Sequence, residues 1–219
     1  MSDQAKIGKH PRGLYVLFFT EMWERFGYYL MVGILFLFLT NSTGKGLPRA
    51  LGADVVGTFI ALVYLTPFIG GLLADRYLGY IKSIFIGGSL MAAGYLTIAL
   101  PGEYTAYIAM GLIIIGNGFF KPNISTLLGN MYNREDLQPL KDNAYNIFYM
   151  GINIGAFFCN FVAAILRNRI SWQAAFSAAG IGLIIGLITL ALSLKHIKQY
   201  DAKKPMQPGD TPTSKIFGT

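Results

Sequence analysis

Three charged residues, Glu21, Glu24 and Arg25, stand inside the first long apolar stretch of the sequence. On an α-helix, which turns about 100° per residue, these three fall with Tyr28 and Tyr29 within an arc of about 140°. If the stretch crosses a membrane, this stripe must face the protein interior or a water-filled cavity. One arginine cannot neutralise two carboxylates, so one glutamate is expected to carry a proton near neutral pH. The alternative is a buried ion cluster that only joins helices.

A lysine, Lys121, occupies the middle of a second long apolar stretch and is followed by Pro122. Proline lacks a backbone N–H and leaves the carbonyl of Gly118 without its helical partner, so the helix is expected to kink or loosen beside the lysine. Such a backbone is tolerated at membrane depth where it lines a cavity. Lys121 is a candidate to bind a carboxylate of a substrate, of Glu21 or of Glu24. The alternative is a lysine that extends to the membrane interface.

Polar side chains also recur along the predicted fifth helix, where Asn146, Tyr149, Asn153 and Asn160 fall within an arc of about 60°. Such a row binds the amides of a peptide-like ligand or hydrogen-bonds neighbouring helices. We favour packing for Asn146 and Asn160 and leave both interpretations open for Asn153. Tyr64, on the predicted second helix, is a candidate pocket wall and equally a candidate core residue.

The segment from Gly71 to Gly79 joins the second and third predicted helices and contains Asp75 and Arg76. Its small residues allow a tight turn against neighbouring helices, and the Asp75 carboxylate can accept hydrogen bonds from helix termini or pair with an arginine. We interpret this segment as a conformational latch and not as a substrate site.

The elements that must position these residues are transmembrane helices. Only 13% of the 219 residues are charged, whereas 53% are hydrophobic, and a soluble domain normally has about 25% charged residues. We predict an all-α, polytopic membrane protein with six transmembrane helices, at about 13–40, 55–74, 83–102, 104–132, 143–166 and 170–194. Residues 1–12 and 195–219 are predicted to be a cytoplasmic N-terminus and a cytoplasmic linker or tail.

The same composition restricts the function. Six spans leave no room for a separate catalytic domain, and we predict that the chain is not an enzyme. The single cysteine, Cys159, excludes an internal disulfide framework and a cysteine-based metal cluster. Both histidines, His10 and His196, lie outside the apolar stretches, which argues against a histidine-dependent intramembrane hydrolase. No metal site is predicted.

The distribution of lysine and arginine predicts the orientation of the bundle. With a cytoplasmic N-terminus, twelve of these residues fall inside and four outside, and Arg25 and Lys121 remain in the membrane. The net charge of +7 is therefore explained by topology and requires no nucleic-acid partner.

The segment Gly71–Gly79, with its Ala-Asp-Arg core, resembles the signature loop of the major facilitator superfamily. Together with Glu21-x-x-Glu24-Arg25-Phe26-x-Tyr28-Tyr29, the Phe-Lys-Pro-Asn run ending at Asn123, and the segment Phe148–Gly155, the sequence is similar to the proton-dependent oligopeptide transporter (POT/PTR) family. The resemblance implies the N-terminal six-helix half of a proton-coupled symporter that imports dipeptides and tripeptides by alternating access.

The resemblance also implies roles for single residues. Proton coupling falls to Glu21, Glu24, Arg25 and Lys121; substrate binding to Arg25, Tyr28, Tyr29, Tyr64, Lys121 and Asn153; and gating to Asp75 and Arg76. The implied coupling ion is the proton, with no other cofactor. The implied partners are small peptides, the lipid bilayer and a C-terminal six-helix bundle, in the cell (inner) membrane with the N-terminus cytoplasmic.

The sequence departs from the family pattern at Leu30 and Val32, and from the animal members at Gly57. Leu30 and Val32 stand where members usually have glycine and arginine, and Val32 projects into the polar stripe, so a cation that helps to receive the peptide is missing. Gly57 stands where animal members have a histidine, which leaves proton coupling to the glutamates. Two alternatives remain: the same fold with another cargo, such as nitrate or modified peptides, and a standalone six-helix membrane subunit.

Overall fold

The computed structural model describes residues 9–201, and no strand occurs within that range. Six long α-helices make up the fold: α1 (Arg12–Thr40), α2 (Arg49–Leu73), α3 (Tyr80–Ile98), α4 (Thr105–Met131), α5 (Lys141–Arg169) and α6 (Trp172–Leu192). A π-helical turn, Ala74–Leu78, extends α2, and short 3₁₀ turns occur at Gln138–Leu140, Leu194–His196 and Lys198–Tyr200. The predicted all-α fold class is confirmed.

Five of these six helices are long and apolar enough to cross a membrane. The remaining helix, α4, is 27 residues long. Its polar residues Asn117, Lys121 and Asn123 lower its mean hydropathy. The chain is a multi-pass membrane protein.

The ends of the helices differ from the expected spans. The second helix begins at Arg49 instead of 55, directly after Pro48, where the missing N–H of proline costs no helical hydrogen bond. The third ends at Ile98 instead of 102, before the Pro101-Gly102 turn. Hydropathy marks helix ends poorly, because the first turn of α2 extends beyond the apolar run, whereas the apolar residues Ala99 and Leu100 continue past the end of α3.

Close helix packing depends on glycines at the crossings, as is usual where lipid supplies no hydrophobic drive between helices. At the crossing of α3 and α4, a Cβ atom added to Gly87 would lie 2.5 Å from the carbonyl oxygen of Gly116, and one added to Gly116 would lie 2.5 Å from that of Gly87. α1 packs against both α5 and α6, and α2 packs against α4. α1 thereby occupies the centre of the bundle.

α2 and α5 are the least buried of the helices that are long and apolar enough to cross a membrane. Only 17% of the spanning part of α2 and 22% of that of α5 are buried, against 61% for α1. Large side chains on both helices are exposed, including Tyr64 and Phe68 on α2 and Tyr149 and Phe157 on α5. We refer to the exposed surfaces of α2 and α5 together as the open face.

The segment after α6 folds back on the bundle instead of leaving it. Ile197 is fully buried, and an Asp201 side-chain oxygen accepts hydrogen bonds from the backbone N–H groups of Tyr80 (2.7 Å) and Ile81 (3.3 Å) at the start of α3. The composition predicts a linker from 195 onward, but the chain is packed as far as Asp201. The remainder of that predicted linker, 202–219, lies outside the described residues, as do residues 1–8 of the predicted N-terminal segment.

Candidate functional site

The centre of the bundle holds a buried ion pair between neighbouring residues of α1. The guanidinium of Arg25 donates through Nη2 to Glu24 Oε1 at 2.6 Å and through Nε to Glu24 Oε2. Glu24 is fully buried and Arg25 nearly so. The Arg25 Cζ atom lies 4.9 Å from the centre of the Tyr28 ring and 5.9 Å from that of Tyr29, so the guanidinium also contacts aromatic rings. Such two-point, charge-assisted bonding fixes the arginine in one orientation.

A second ion pair joins α1 to α4. Lys121 Nζ lies 2.6 Å from Glu21 Oε1, and Arg25 Nε lies 3.5 Å from the same oxygen. The other oxygen, Glu21 Oε2, is buried and has no hydrogen-bond partner in the described part of the chain. Lys121 is 32% exposed, whereas Glu21 is fully buried. Lys121 therefore points into the bundle and does not extend to the membrane interface.

Asn117 links this cluster to the helices behind it. Its side-chain oxygen accepts from Arg25 Nη2 at 3.4 Å, and its Nδ2 donates to the carbonyl of Val63 on α2 at 2.9 Å. One side chain thus connects α1, α4 and α2. Sequence reasoning gave Asn117 no role, although it lies one turn before Lys121 on the same face.

Two carboxylates and two cations balance each other in this cluster: Glu21, Glu24, Arg25 and Lys121. Adding one proton to either glutamate removes a negative charge and leaves one cation without its partner. A buried unpaired cation is costly, and an incoming anion would restore the balance. The arrangement can therefore couple the protonation of a glutamate to the binding of a carboxylate by arginine or lysine.

The predicted substrate contacts divide into buried and exposed residues. Tyr29, Tyr64 and Asn153 are exposed, on α1, α2 and α5, and Tyr64 is the most open at 77%. Tyr28 is buried beneath Arg25, so in this conformation it contacts the guanidinium and does not line the open face. Val32, at the position of the missing cation, is half-buried on the same side of α1 as Arg25.

Asp75 and Arg76 lie at the far end of α2, in the π-helical turn that precedes α3. Eleven residues of helix separate Tyr64 from Asp75, which is about 16 Å. Gly79 ends the turn with φ +82°, a conformation that favours glycine. These two residues are therefore outside the ion cluster and on the connection between two helices.

Pro122 lies inside α4 and does not end the helix. α4 continues through it as one helix from Thr105 to Met131. The carbonyl of Gly118, which Pro122 cannot satisfy, faces the Cα of Gly70 on α2, where an added Cβ would overlap its oxygen. This carbonyl is thus placed at a close contact between α2 and α4, beside the hydrogen bond from Thr66 Oγ1 to the carbonyl of Ile114 at 2.9 Å.

Comparison with known proteins agrees with this geometry. The sequence model of the POT family matches residues 81–211. The chain is 42% identical over 190 residues to an uncharacterized transporter, YclF, of Bacillus subtilis, covering 85% of this chain and 38% of that protein. It is 37% identical over 214 residues to the di-/tripeptide transporter of Lactococcus lactis, covering 94% of this chain and 42% of that protein.

Solved structures give the same result. A POT peptide transporter in complex with sulfate superposes with a TM-score of 0.88 at 36% identity, covering 97% of this chain and 44% of the other. A POT family transporter in complex with 5-aminolevulinic acid superposes with a TM-score of 0.88 at 30% identity, covering 98% and 45%. The chain spans about two fifths of the length of the curated relatives it matches. With the family model matching more than half of its residues, the chain belongs to the POT family.

Proposed function

We propose that this chain is the N-terminal six-helix half of a proton-coupled symporter that imports dipeptides and tripeptides by alternating access. The observation that carries the proposal is the balanced cluster of Glu21, Glu24, Arg25 and Lys121 at the centre of the bundle. Relatives named as di-/tripeptide transporters support the cargo.

In this mechanism a proton binds to Glu21 or Glu24 and breaks one ion pair. The freed cation, Arg25 or Lys121, then binds the terminal carboxylate of the peptide, for which a guanidinium or an ammonium is suited. Lys121 is partly exposed, so it is the cation that an incoming substrate meets first. Loading neutralises the cluster again and allows closure around the cargo.

Exposed polar groups next to the cluster would hold the peptide backbone. Tyr29, Tyr64 and Asn153 present two phenols and one amide as exposed side chains on α1, α2 and α5. The proton is proposed as the coupling ion, with no metal or other cofactor. The chain is proposed to act by transport and not by catalysis.

The proposed partner for the open face is a C-terminal six-helix bundle. α2 and α5 are the least buried helices with spanning length and composition, and the solved POT structures are more than twice as long as this chain. Cargo would lie between the two bundles, so the chain would provide the proton-handling cluster and one wall of the binding site.

We propose the cell (inner) membrane as the location, with the N-terminus in the cytoplasm. The start of α1 and the end of α6 lie together, because a Cβ added to Gly13 would be 2.8 Å from the carbonyl of His196. Lys9 and Arg12 before and at the start of α1 are therefore on the same side of the bundle as Lys195 and Lys198 after α6. Asp75 and Arg76 would form the cytoplasmic latch on that side.

A second candidate keeps the fold and changes the cargo to a modified peptide or a small anion such as nitrate. Val32 removes one cation from the polar stripe, and a related POT structure is in complex with 5-aminolevulinic acid. The missing cation lowers the attraction for every anionic group, so a preference for peptides over other cargo depends on the remaining residues of the site.

The test is uptake of a labelled dipeptide into vesicles that contain the full-length transporter, with an imposed inward pH gradient. We expect accumulation that collapses when a protonophore dissipates the gradient. Unlabelled di- and tripeptides should compete, whereas nitrate and 5-aminolevulinic acid should not. Competition by an anion, without competition by peptides, would favour the second candidate. Uptake that is independent of the pH gradient would contradict proton coupling.

A further inference from the structure

One buried hydroxyl group next to the ion cluster has no partner. Tyr95, on α3, is fully buried, and its hydroxyl makes no hydrogen bond to any residue between 9 and 201. Burying an unpaired hydroxyl costs free energy, and most buried polar groups in proteins are paired. A phenylalanine would fill the same space without this cost, so the hydroxyl requires a reason.

The position of Tyr95 suggests a reason for its hydroxyl. Its ring packs against α1 at Gly27, where an added Cβ would lie 3.2 Å from Tyr95 Cε2. Gly27 follows Glu24 by three residues, which places both on the same side of the helix. The Tyr95 hydroxyl interacts electrostatically with Glu24 and Arg25. Tyr95 thus approaches the cluster from α3, whereas Lys121 approaches it from α4.

In the conformation observed here, Glu24 has no need of Tyr95. Both of its oxygens accept hydrogen bonds from Arg25, one from Nε and one from Nη2. If Glu24 takes up a proton and Arg25 leaves, a neutral carboxylic acid remains in the core. That acid needs an acceptor for its O–H and a donor for its carbonyl oxygen, and a phenol can serve as either.

We propose that Tyr95 is a positioning residue of the proton site: it hydrogen-bonds protonated Glu24 after Arg25 has moved to the substrate. This inference rests on the proposed proton-coupled function. The proton stays on Glu24, and Tyr95 remains neutral throughout. The hydroxyl is unpaired in the ion-paired state and paired in the protonated state, so it lowers the free energy of the protonated state alone.

The other charged groups around Glu24 are already accounted for. Arg25 and Glu21 lie on α1 and Lys121 on α4, and α6 contains no ionisable residue. α5 packs against α1 through Gly151 and Gly155, which meet Phe18, Met22 and Phe26. On α2, Tyr64 interacts with Tyr28. Tyr95→Phe alters none of these residues. A shift in the pH at which Glu24 is protonated in that variant therefore reports the lost hydroxyl.

The experiment is infrared spectroscopy of the purified full-length transporter in lipid, following the carbonyl stretch of a protonated carboxylic acid as the pH is lowered. Loss of the band in Glu24→Gln assigns it. In Tyr95→Phe we expect its pH midpoint to move to lower pH by about half to one unit, the effect of one lost hydrogen bond. The band should also move to higher wavenumber, because the carbonyl has lost its donor.

Tyr132→Phe is the matched control. Tyr132 is also buried, but its hydroxyl is hydrogen-bonded to His10 at 2.7 Å, outside the cluster, so its midpoint should equal that of the unmodified protein. An unchanged midpoint and wavenumber in Tyr95→Phe would overturn the inference. So would a failure of Tyr95→Phe to fold, because an unpaired hydroxyl should not support the ion-paired state.

The same data separate this inference from the proposed function. A band that disappears in Glu21→Gln and persists in Glu24→Gln would overturn the role of Tyr95 and leave proton-coupled uptake intact. A band that depends on Glu24 and on Tyr95, in a protein that does not accumulate peptides, would support the hydrogen bond and contradict the transport proposal.

Discussion

Lys121 Nζ lies 2.6 Å from Glu21 Oε1, and this contact joins α4 to α1 across the centre of the bundle. The pair is asymmetric, because the carboxylate is fully buried whereas a third of the lysine side chain is exposed. An anion that reaches the exposed part of the lysine can therefore compete for it without entering the core. Glu21 would then be left with Arg25, 3.5 Å away on its own helix.

Removing the lysine should damage both stability and uptake. Lys121→Ala leaves Glu21 buried beside Arg25, which is already bonded to Glu24, and breaking a partly exposed ion pair of this kind should cost about 1–3 kcal/mol of unfolding free energy. We expect dipeptide uptake to fall about tenfold or more, since an interaction of 1.4 kcal/mol corresponds to a factor of ten. Thermal unfolding and initial uptake rates measure the two effects.

Lys82→Ala is the control for this prediction, because Lys82 is exposed near the start of α3. In the double variant Lys121→Ala with Glu21→Gln, the uncompensated charge is gone and much of the lost stability should return. Equal stability of the single and double variants would contradict an energetic link between Glu21 and Lys121.

The close contact between α2 and α4 predicts a sharp contrast between two glycines of α2. In Gly70→Ala the new methyl group would overlap the carbonyl of Gly118, and we expect a loss of about 1–3 kcal/mol, as for an overpacked core. A Cβ added to Gly57 meets nothing within 4 Å, so Gly57→Ala should be neutral or stabilising through helix propensity. Thermal unfolding of the two variants in detergent compares them directly; similar melting temperatures would count against the contact.

The hydrogen bonds from Asp201 to the start of α3 predict a local effect. Asp201→Ala removes the acceptor for the N–H groups of Tyr80 and Ile81, and the loss of such a cap costs about 1 kcal/mol. Hydrogen exchange at these two amides should accelerate, while the centre of α3 stays protected. Asp201→Asn keeps an oxygen acceptor and should exchange more slowly than Asp201→Ala. Equal rates in both variants and the unmodified protein would show that the side chain does not cap the helix.

Because the predicted peptide contact Tyr64 is exposed, its substitution should weaken peptide binding without lowering the stability of the fold. Tyr64 is 77% exposed in the described part of the chain, so Tyr64→Ala should leave the melting temperature nearly unchanged. Peptide uptake should require about tenfold more substrate for half-saturation, the effect of one lost interaction. Leu65→Ala, at an exposed neighbouring position, controls for a change on the surface of the same helix. A large drop in melting temperature for Tyr64→Ala would place this residue in the core instead.

The ion cluster was largely predictable from the sequence, because Glu21, Glu24 and Arg25 are costly in an apolar helix and their spacing puts them on one side. The pairing of Lys121 with Glu21 was one of several partners that its depth allowed. Tyr95 and Asn117 were not identified as partners of the cluster, since a lone polar residue in an apolar helix is most often a packing residue. Asp201 lies 121 positions from Tyr80, so its contact depends on the tertiary fold, and its lysine-rich surroundings indicated only a linker.

The central claim is that protonation of this cluster couples the pH gradient to cargo movement. The measurement is to compare gradient-driven accumulation of a labelled dipeptide with gradient-independent exchange of the same peptide, in Glu24→Gln and in the exposed control Glu135→Gln. Glutamine imitates the protonated acid, so we predict that Glu24→Gln retains exchange but loses accumulation, and that Glu135→Gln retains both. Accumulation that persists undiminished in Glu24→Gln across an imposed pH gradient would contradict the account.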